Sequence, residues 1–190
     1  GLVPAYPVAD GWSNLGVLGP MARTVSDCAL MLAAIAGPDD RTPISLPDSA
    51  ALFLQTLESD QKGTRVAFST DFAGQLPVEP AVQNVMTQGV QVLSDIGCKI
   101  SESCPDFNGA DEVFKTLRAW SFAAGHGEDI RRHPEQYKET MIWNVEAGLE
   151  LSGTDVSAAN KRRSEIYQRV ITFFEDYDFL VLPVSQVAPF

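Results

Sequence analysis

The sequence has no long hydrophobic segment, few cysteines and little positive charge. No apolar run approaches the ~18 residues that a membrane-spanning helix requires, so no association with a membrane is expected. The 190 residues include 14 Lys and Arg against 25 Asp and Glu, which gives a net charge of −11. Nucleic acids repel an acidic surface, and the longest basic run is only Lys161–Arg163. A nucleic-acid partner is therefore not expected either.

The three cysteines indicate a reducing compartment. Cys28, Cys98 and Cys104 cannot all pair, and none belongs to a Cys-x-x-Cys motif. Reduced thiols are typical of cytoplasmic proteins, and no signal-peptide pattern opens the chain. Cys28 recurs with apolar residues at helical spacing, which predicts a small buried side chain.

Motifs for several kinds of chemistry are also missing. His126 and His133 lie outside any His-Glu-x-x-His pattern, so neither a metal nor another cofactor is expected. No phosphate-binding glycine-rich loop occurs. The run Gly11–Gly16 comes near the nucleophile elbow Gly-x-Ser-x-Gly, but its second glycine is one residue too late. Ser13 is therefore interpreted as a turn residue.

The hydrophobic pattern predicts an α/β protein of one domain. We expect a loop over 1–20, a helix over 24–36 capped by Thr24, a short helix near 49–57, a strand–helix–strand unit over 65–103, a mainly helical region over 109–176 and a strand over 179–183. Within the helical region, the predicted helices cover about 110–124, 140–151 and 155–176, with Pro134 in a connection. The strand–helix–strand unit predicts parallel pairing, and the final apolar strand is expected to be buried on both faces.

The most informative segment is Gly16–Asp27, a Gly-Pro turn that leads into a capped helix. Its residues Leu18–Val25, with Asp27, resemble the Gly-Pro-Met-x-Arg-Thr-Val-x-Asp block of the amidase signature family. Gly1–Pro4 resembles the family's Gly-Leu-Lys-Pro, with Val3 in place of lysine. Further similar blocks follow in order: Ile35–Asp39, Ala158–Ala159, Arg162–Arg163, Phe174, Tyr177–Asp178 and Leu182–Pro183.

This resemblance implies a position within a larger α/β/α domain built on a mixed sheet. The chain would be its central portion, incomplete at both ends, as the apolar termini also indicate. Family members hydrolyse amides with a Ser–Ser–Lys triad. That signature lies ahead of the position matching Gly1, and no Gly-Gly-Ser-Ser run occurs in this sequence. No catalytic residue is therefore assigned, and the chain alone is expected to be inactive.

The resemblance also implies candidate substrate contacts. The helix around Trp120 and Ser121, and the turn at Pro183, Val184 and Ser185, match family regions that border the acyl-binding cleft. Ordinary core packing is the alternative for each, because apolar and aromatic residues fill most cores.

The order of the matching blocks disfavours an unrelated α/β ligand-binding domain, and three interpretations of function remain open. The leading one is a stand-alone amidase acting on a small or medium amide. The second is a protein like the glutamyl-tRNA amidotransferase subunit of the same family, and the third is a non-catalytic binding or assembly module that retains the fold. An exposed apolar surface is expected, to be covered by the remainder of the same protein or by self-association.

Overall fold

The structure is a computed structural model that describes residues 1–8 and 10–189. In order, its helices and strands are α1 (Val25–Ile35), a short 3-10 helix (Ala50–Leu54), β1 (Arg65–Phe68), α2 (Pro80–Asp95), β2 (Lys99–Glu102), α3 (Ala110–Arg132), a 3-10 turn (Pro134–Gln136), α4 (Glu139–Leu149), α5 (Gly153–Phe173) and β3 (Phe179–Val181). In the described residues, α2 connects the first two strands, and a run of helices lies between the second and third.

The chain divides into two compact units. The first contains residues 1–59 and 118–149, and the second contains 60–117 and the chain from 150 onward. One of the three points where the chain passes between the units falls within α3, between Leu117 and Arg118. The sequence assigns all 190 residues to one domain of the larger protein, and that assignment stays a prediction.

The first unit begins with the family-like loop and helix. The Thr24 side chain accepts a hydrogen bond from the Asp27 amide, so α1 starts where the sequence predicts. Gly37 follows the helix with a φ of 131°, a conformation that favours glycine. The short helix predicted near 49–57 is present as a 3-10 helix over Ala50–Leu54, and the Ser49 side chain accepts a hydrogen bond from the Ala51 amide at its start.

The second unit contains a three-stranded sheet in the order β2–β1–β3. Both pairings are parallel: Ala67 of β1 lies opposite Ser101 of β2 and opposite Leu180 of β3. The strand–helix–strand prediction is thereby confirmed, with α2 as the crossover. Val66 and Ala67 are buried, as expected for the central strand. The mixed character of a larger sheet stays a prediction, because these three strands are all parallel.

Two predictions about burial are wrong. Phe179 is 58% exposed and the rest of β3 is half-buried, because in the described residues β3 pairs only with β1 and lies at the sheet's edge. Cys28 is half-buried rather than buried. The helix α1 buries little of its surface in the described structure, since Ala29 is its one buried residue.

The helices of the later region agree with the sequence in number but differ in length. α3 continues to Arg132, eight residues past its predicted end at Ala124. It ends just before Pro134, which disfavours helical backbone in the residue preceding it. α5 begins at a capping box formed by Ser152 and Asp155 and ends at Phe173, three residues before the predicted end.

Candidate functional site

The carboxyl ends of the three parallel strands bring the residues that follow them to one edge of the second unit. Ser69 follows β1 and Ser103 follows β2, while Pro183 lies two residues beyond β3. The Ser69 amide donates to the Val181 carbonyl (3.1 Å), and the Ser103 amide donates to the Phe68 carbonyl (3.0 Å). In α/β sheets, this edge is where ligands usually bind.

A left-handed turn leaves this edge directly after β1. Phe72, Ala73 and Gly74 have φ values of 58°, 56° and 77°. This conformation is unfavourable for a bulky residue such as Phe72. Two side chains hold the turn: the Ala73 amide donates to Ser69 Oγ (2.9 Å), and the Gly74 amide donates to Asp71 Oδ1 (2.9 Å). Strain of this kind persists only where neighbouring groups fix the backbone.

The predicted substrate-binding residues Pro183, Val184 and Ser185 follow β3 at the same edge. Pro183 is half-buried, whereas Val184 and Ser185 are exposed. The segment is fixed just beyond them, where Gln186 Nε2 donates to the Pro77 carbonyl (2.8 Å) and the Glu79 amide donates to the Gln186 carbonyl (2.9 Å).

A shallow cavity of about 560 Å³ adjoins the anchored segment. It is lined by Asp71, Gly74–Glu79 and Gln83. The polar side chains of this lining are two carboxylates and two glutamine amides, so the edge offers both hydrogen-bond acceptors and donors. These residues can orient a polar group of a substrate, but they include no nucleophile next to a base.

Cys104 is the one nucleophilic thiol of this edge in the part of the chain that the structure describes. Burial raises the pKa of its half-buried thiol, and the negative charge of Asp71 raises it further. A thiol with a raised pKa stays protonated at neutral pH and is a poor nucleophile. Cys104 therefore gives no reason to assign a catalytic residue within this chain.

The other two predicted contacts, Trp120 and Ser121, lie on α3 in the first unit. Trp120 is 42% exposed and Ser121 is half-buried, so neither is a core residue. An aromatic cluster follows Trp120 and Ser121 in the sequence. The ring centroid of His126 on α3 lies 6.0 Å from that of Phe122 on the same helix and 6.4 Å from that of Tyr137. Substrate binding by these five residues stays a prediction.

No group of three His, Cys, Asp or Glu side chains among the described residues could hold a metal ion. His126 takes part in the aromatic cluster, and His133 lies 3.8 Å from the Glu135 carboxylate. Across residues 1–8 and 10–189, none of the helices combines the length and the apolar character of a membrane span.

Sequence reasoning missed the loop between β2 and α3 and the arginine that holds it. Arg169 of α5 donates from Nε to the Asp106 carbonyl (2.9 Å) and from Nη2 to the Asn108 carbonyl (2.7 Å). The intervening Phe107 contacts Phe72 of the left-handed turn, with 6.0 Å between ring centroids. Only the motif Asp106–Gly109 signals a turn in the sequence, and nothing there points to Arg169.

Comparisons with known proteins agree with this architecture. Among solved structures, a bacterial aryl acylamidase of the amidase signature family superposes with a TM-score of 0.79 at 19% identity, over 90% of this chain and 37% of that one. A fatty acid amide hydrolase gives a TM-score of 0.73 at 21% identity, over 90% of this chain and 31% of that one. At such identities the similarity shows the fold.

Sequence relatives cover the chain as well. An acylamidase of Rhodococcus erythropolis is 30% identical over 195 residues, spanning 100% of this chain and 40% of that protein. A glutamyl-tRNA(Gln) amidotransferase subunit of Gloeobacter violaceus is 39% identical over 108 residues, which are 56% of this chain and 22% of that protein. The chain thus spans about two fifths or less of these relatives. The family described as Amidase matches residues 1–190 from end to end, and the chain therefore belongs to the amidase signature family.

Proposed function

We propose that the full-length protein hydrolyses the C–N bond of a carboxylic amide with a Ser–Ser–Lys triad. The observation that carries the proposal is the family match over all 190 residues. A serine hydroxyl is a poor nucleophile at its ordinary pKa and needs a neighbouring base, while backbone amides stabilise the developing oxyanion. The triad would lie ahead of the position matching Gly1. Residues 1–190 would then support substrate binding, without activity of their own.

Within the family, we favour an acylamidase over an amidotransferase subunit. The alignment with the Rhodococcus acylamidase extends over 195 residues, close to the length of this chain. The alignment with the corresponding amidotransferase subunit of Rhodospirillum rubrum covers the same chain but extends over 226 residues at 26% identity, so it needs longer gaps. The net charge of −11 also disfavours work on a tRNA-linked substrate. The 39% identity to the Gloeobacter subunit keeps the amidotransferase as the second candidate.

We infer that Trp120 and Ser121 on α3, and Pro183, Val184 and Ser185 after β3, contact the substrate. Their exposure supports this role, since none of the five is counted among the buried residues. A cytoplasmic location is also inferred, because Cys28, Cys98 and Cys104 are all free thiols.

The test uses the full-length gene product with p-nitroacetanilide as an acyl amide and glutamine as the amidotransferase donor. We expect hydrolysis of the anilide, its loss after treatment with a serine-directed phosphonate, and no turnover by residues 1–190 alone. Trp120→Ala is expected to raise KM several-fold, while Trp143→Ala, an exposed tryptophan on α4, serves as the control.

Each alternative has its own outcome. Release of ammonia from glutamine without hydrolysis of the anilide would favour the amidotransferase candidate. No turnover of either compound would favour a non-catalytic module. Turnover by residues 1–190 alone, abolished by the phosphonate, would contradict the position of the triad outside this chain.

A further inference from the structure

The side chain of Arg169 on α5 holds the loop between β2 and α3 by hydrogen bonds. Arg169 is half-buried on α5 and donates to two main-chain carbonyls, those of Asp106 and Asn108, at 2.9 and 2.7 Å. Its Nε also lies 3.4 Å from the Asp106 carboxylate. The planar guanidinium places two donors in a fixed arrangement, which a lysine ammonium cannot reproduce.

The residue between those two carbonyls connects the loop to the sheet edge. Phe107 packs against Phe72 with the rings tilted by 60°. Phe72 lies in the left-handed region, so its backbone needs a tertiary contact to keep it there. The contact with Phe107 supplies apolar packing for this side chain in the described structure, and Arg169 fixes the backbone on both sides of Phe107.

The left-handed turn leads in turn to the segment that follows β3. The Leu76 amide donates to the Asp71 carbonyl (3.0 Å), which closes the turn just before Pro77. From there, the Pro77 carbonyl accepts from Gln186, and Glu79 Oε2 accepts from the Ala188 amide (3.2 Å). Contacts therefore run without interruption from Arg169 to the residues directly after Pro183–Ser185.

We propose that Arg169 is a positioning residue that holds the Pro183–Ser185 segment in its substrate-binding conformation through Phe107 and the left-handed turn. This inference rests on the proposed function, because it takes that segment to contact the amide substrate. Arg169 itself touches no substrate. Its loss should therefore weaken substrate binding while the chemical step keeps its rate.

The experiment compares Arg169→Gln, Arg169→Lys and Lys161→Gln in the full-length gene product. Lys161→Gln is the matched control, since it removes one positive charge from an exposed position of the same helix. We expect Arg169→Gln to raise KM for p-nitroacetanilide about tenfold with kcat within twofold. The KM of Arg169→Lys should lie between those of Arg169→Gln and the wild type, and the KM of the Lys161→Gln control should equal that of the wild type.

Amide hydrogen exchange on the same proteins tests the structural part of the proposal. In Arg169→Gln, exchange should accelerate in residues 103–109, 70–76 and 183–188, and the control should match the wild type. Phe107→Leu should reproduce the effect, and adding Arg169→Gln to it should have little further consequence, because both changes break one series of contacts. If Arg169→Gln does not fold, Phe107→Leu alone still tests the proposal.

Three results would overturn the proposal. Faster exchange confined to residues 103–109 would show that the arginine holds its own loop only. An unchanged KM despite faster exchange at 183–188 would separate that segment from substrate binding. A fall in kcat with KM unchanged would assign the arginine to another role. If the wild type hydrolyses no amide, the proposed function fails, and exchange at 183–188 still decides whether Arg169 positions the segment.

Discussion

Gly148 of α4 lies directly against α3 in the first unit. A Cβ atom built on Gly148 would collide with the main-chain carbonyl of Ala119 and would lie 2.7 Å from the Ala123 Cβ. Gly148, Ala119 and Val145 are all buried, so this contact belongs to the core. Glycine is required there by space, since its φ is not in the left-handed region.

We therefore expect Gly148→Ala to destabilise the protein. Alanine improves helix propensity by about 1 kcal/mol, but overpacking against a backbone carbonyl costs about 1–3 kcal/mol. The difference between the two terms gives an expected net loss in the free energy of unfolding of up to about 2 kcal/mol, measured by urea denaturation of the full-length gene product.

Gly125→Ala is the matched control for this substitution. Gly125 lies inside α3 with open space around an added Cβ, so alanine should stabilise by about 0.5–1 kcal/mol. The explanation would be refuted if the two substitutions changed stability in the same direction.

Backbone conformation at single residues sets a limit on sequence reasoning. Gly37 and Gly97 are recognisable from sequence as helix ends, and both have positive φ. Phe72 and Ala73 also have positive φ, but their identities carry no such signal, since both residue types strongly prefer the right-handed region. Their conformation follows from contacts with Ser69 and Phe107 that no local pattern predicts.

At the scale of elements, the stability of α5 depends on the capping box at its N-terminus. The Ser152 Oγ accepts from the Asp155 amide (3.2 Å), and the Asp155 carboxylate accepts from the Ser152 amide (2.8 Å). Hydrogen bonds from Ser152 lower the pKa of Asp155 below its ordinary value, because they favour the charged carboxylate. The helix that starts here also carries Arg169.

Ser152→Ala should therefore lower the free energy of unfolding by about 1 kcal/mol, the usual cost of losing an N-cap side chain. Ser157→Ala is the control, because Ser157 is exposed one turn inside the same helix. Urea denaturation of the full-length gene product measures both. Equal effects of the two substitutions would exclude the capping explanation.

The elements show which sequence signals are reliable. α2 is predicted well because Pro80 and Gly97 mark its ends and its apolar residues recur at helical spacing. α3 is predicted eight residues too short, because Gly125 and Gly127 have low helix propensity. In the structure, a Cβ at Gly127 would lie 3.7 Å from Val145, so this face of α3 packs on α4 and continues through the glycines.

At the scale of the whole molecule, the site is only partly predictable. The Pro183–Ser185 segment can be found from sequence because its residues match a family block. Arg169 and Asn108 are 61 residues apart in sequence, and their contact depends on how α5 packs in the second unit. Family membership needs only short motifs in order, whereas the positioning of the segment needs three-dimensional contacts.

The family-like motif itself carries several exposed apolar side chains, close together in sequence, in the first unit. We define the motif patch as Val17, Leu18, Met21 and Val25, which are 85%, 56%, 93% and 73% exposed. Soluble proteins rarely leave contiguous apolar patches uncovered. The chain spans 40% of the acylamidase relative, so the rest of a protein of that length is available to cover the patch.

We expect residues 1–190, prepared alone, to self-associate through the motif patch. Met21→Lys should shift the distribution toward monomer, because burying a lysine charge in an apolar contact is costly. Val85→Lys, at an apolar and exposed position of α2 in the second unit, should leave the distribution unchanged. Light scattering coupled to size exclusion, over a range of concentrations, measures both.

The same pair of variants in the full-length gene product shows what covers the patch there. If the remainder of the polypeptide packs on it, Met21→Lys lowers Tm by several degrees and Val85→Lys does not, since one buried charge is among the more costly substitutions. A monodisperse monomer of residues 1–190 at every concentration, together with an unchanged Tm for full-length Met21→Lys, would mean that the motif patch faces solvent. The apolar side chains of the family-like block would then need an explanation other than packing.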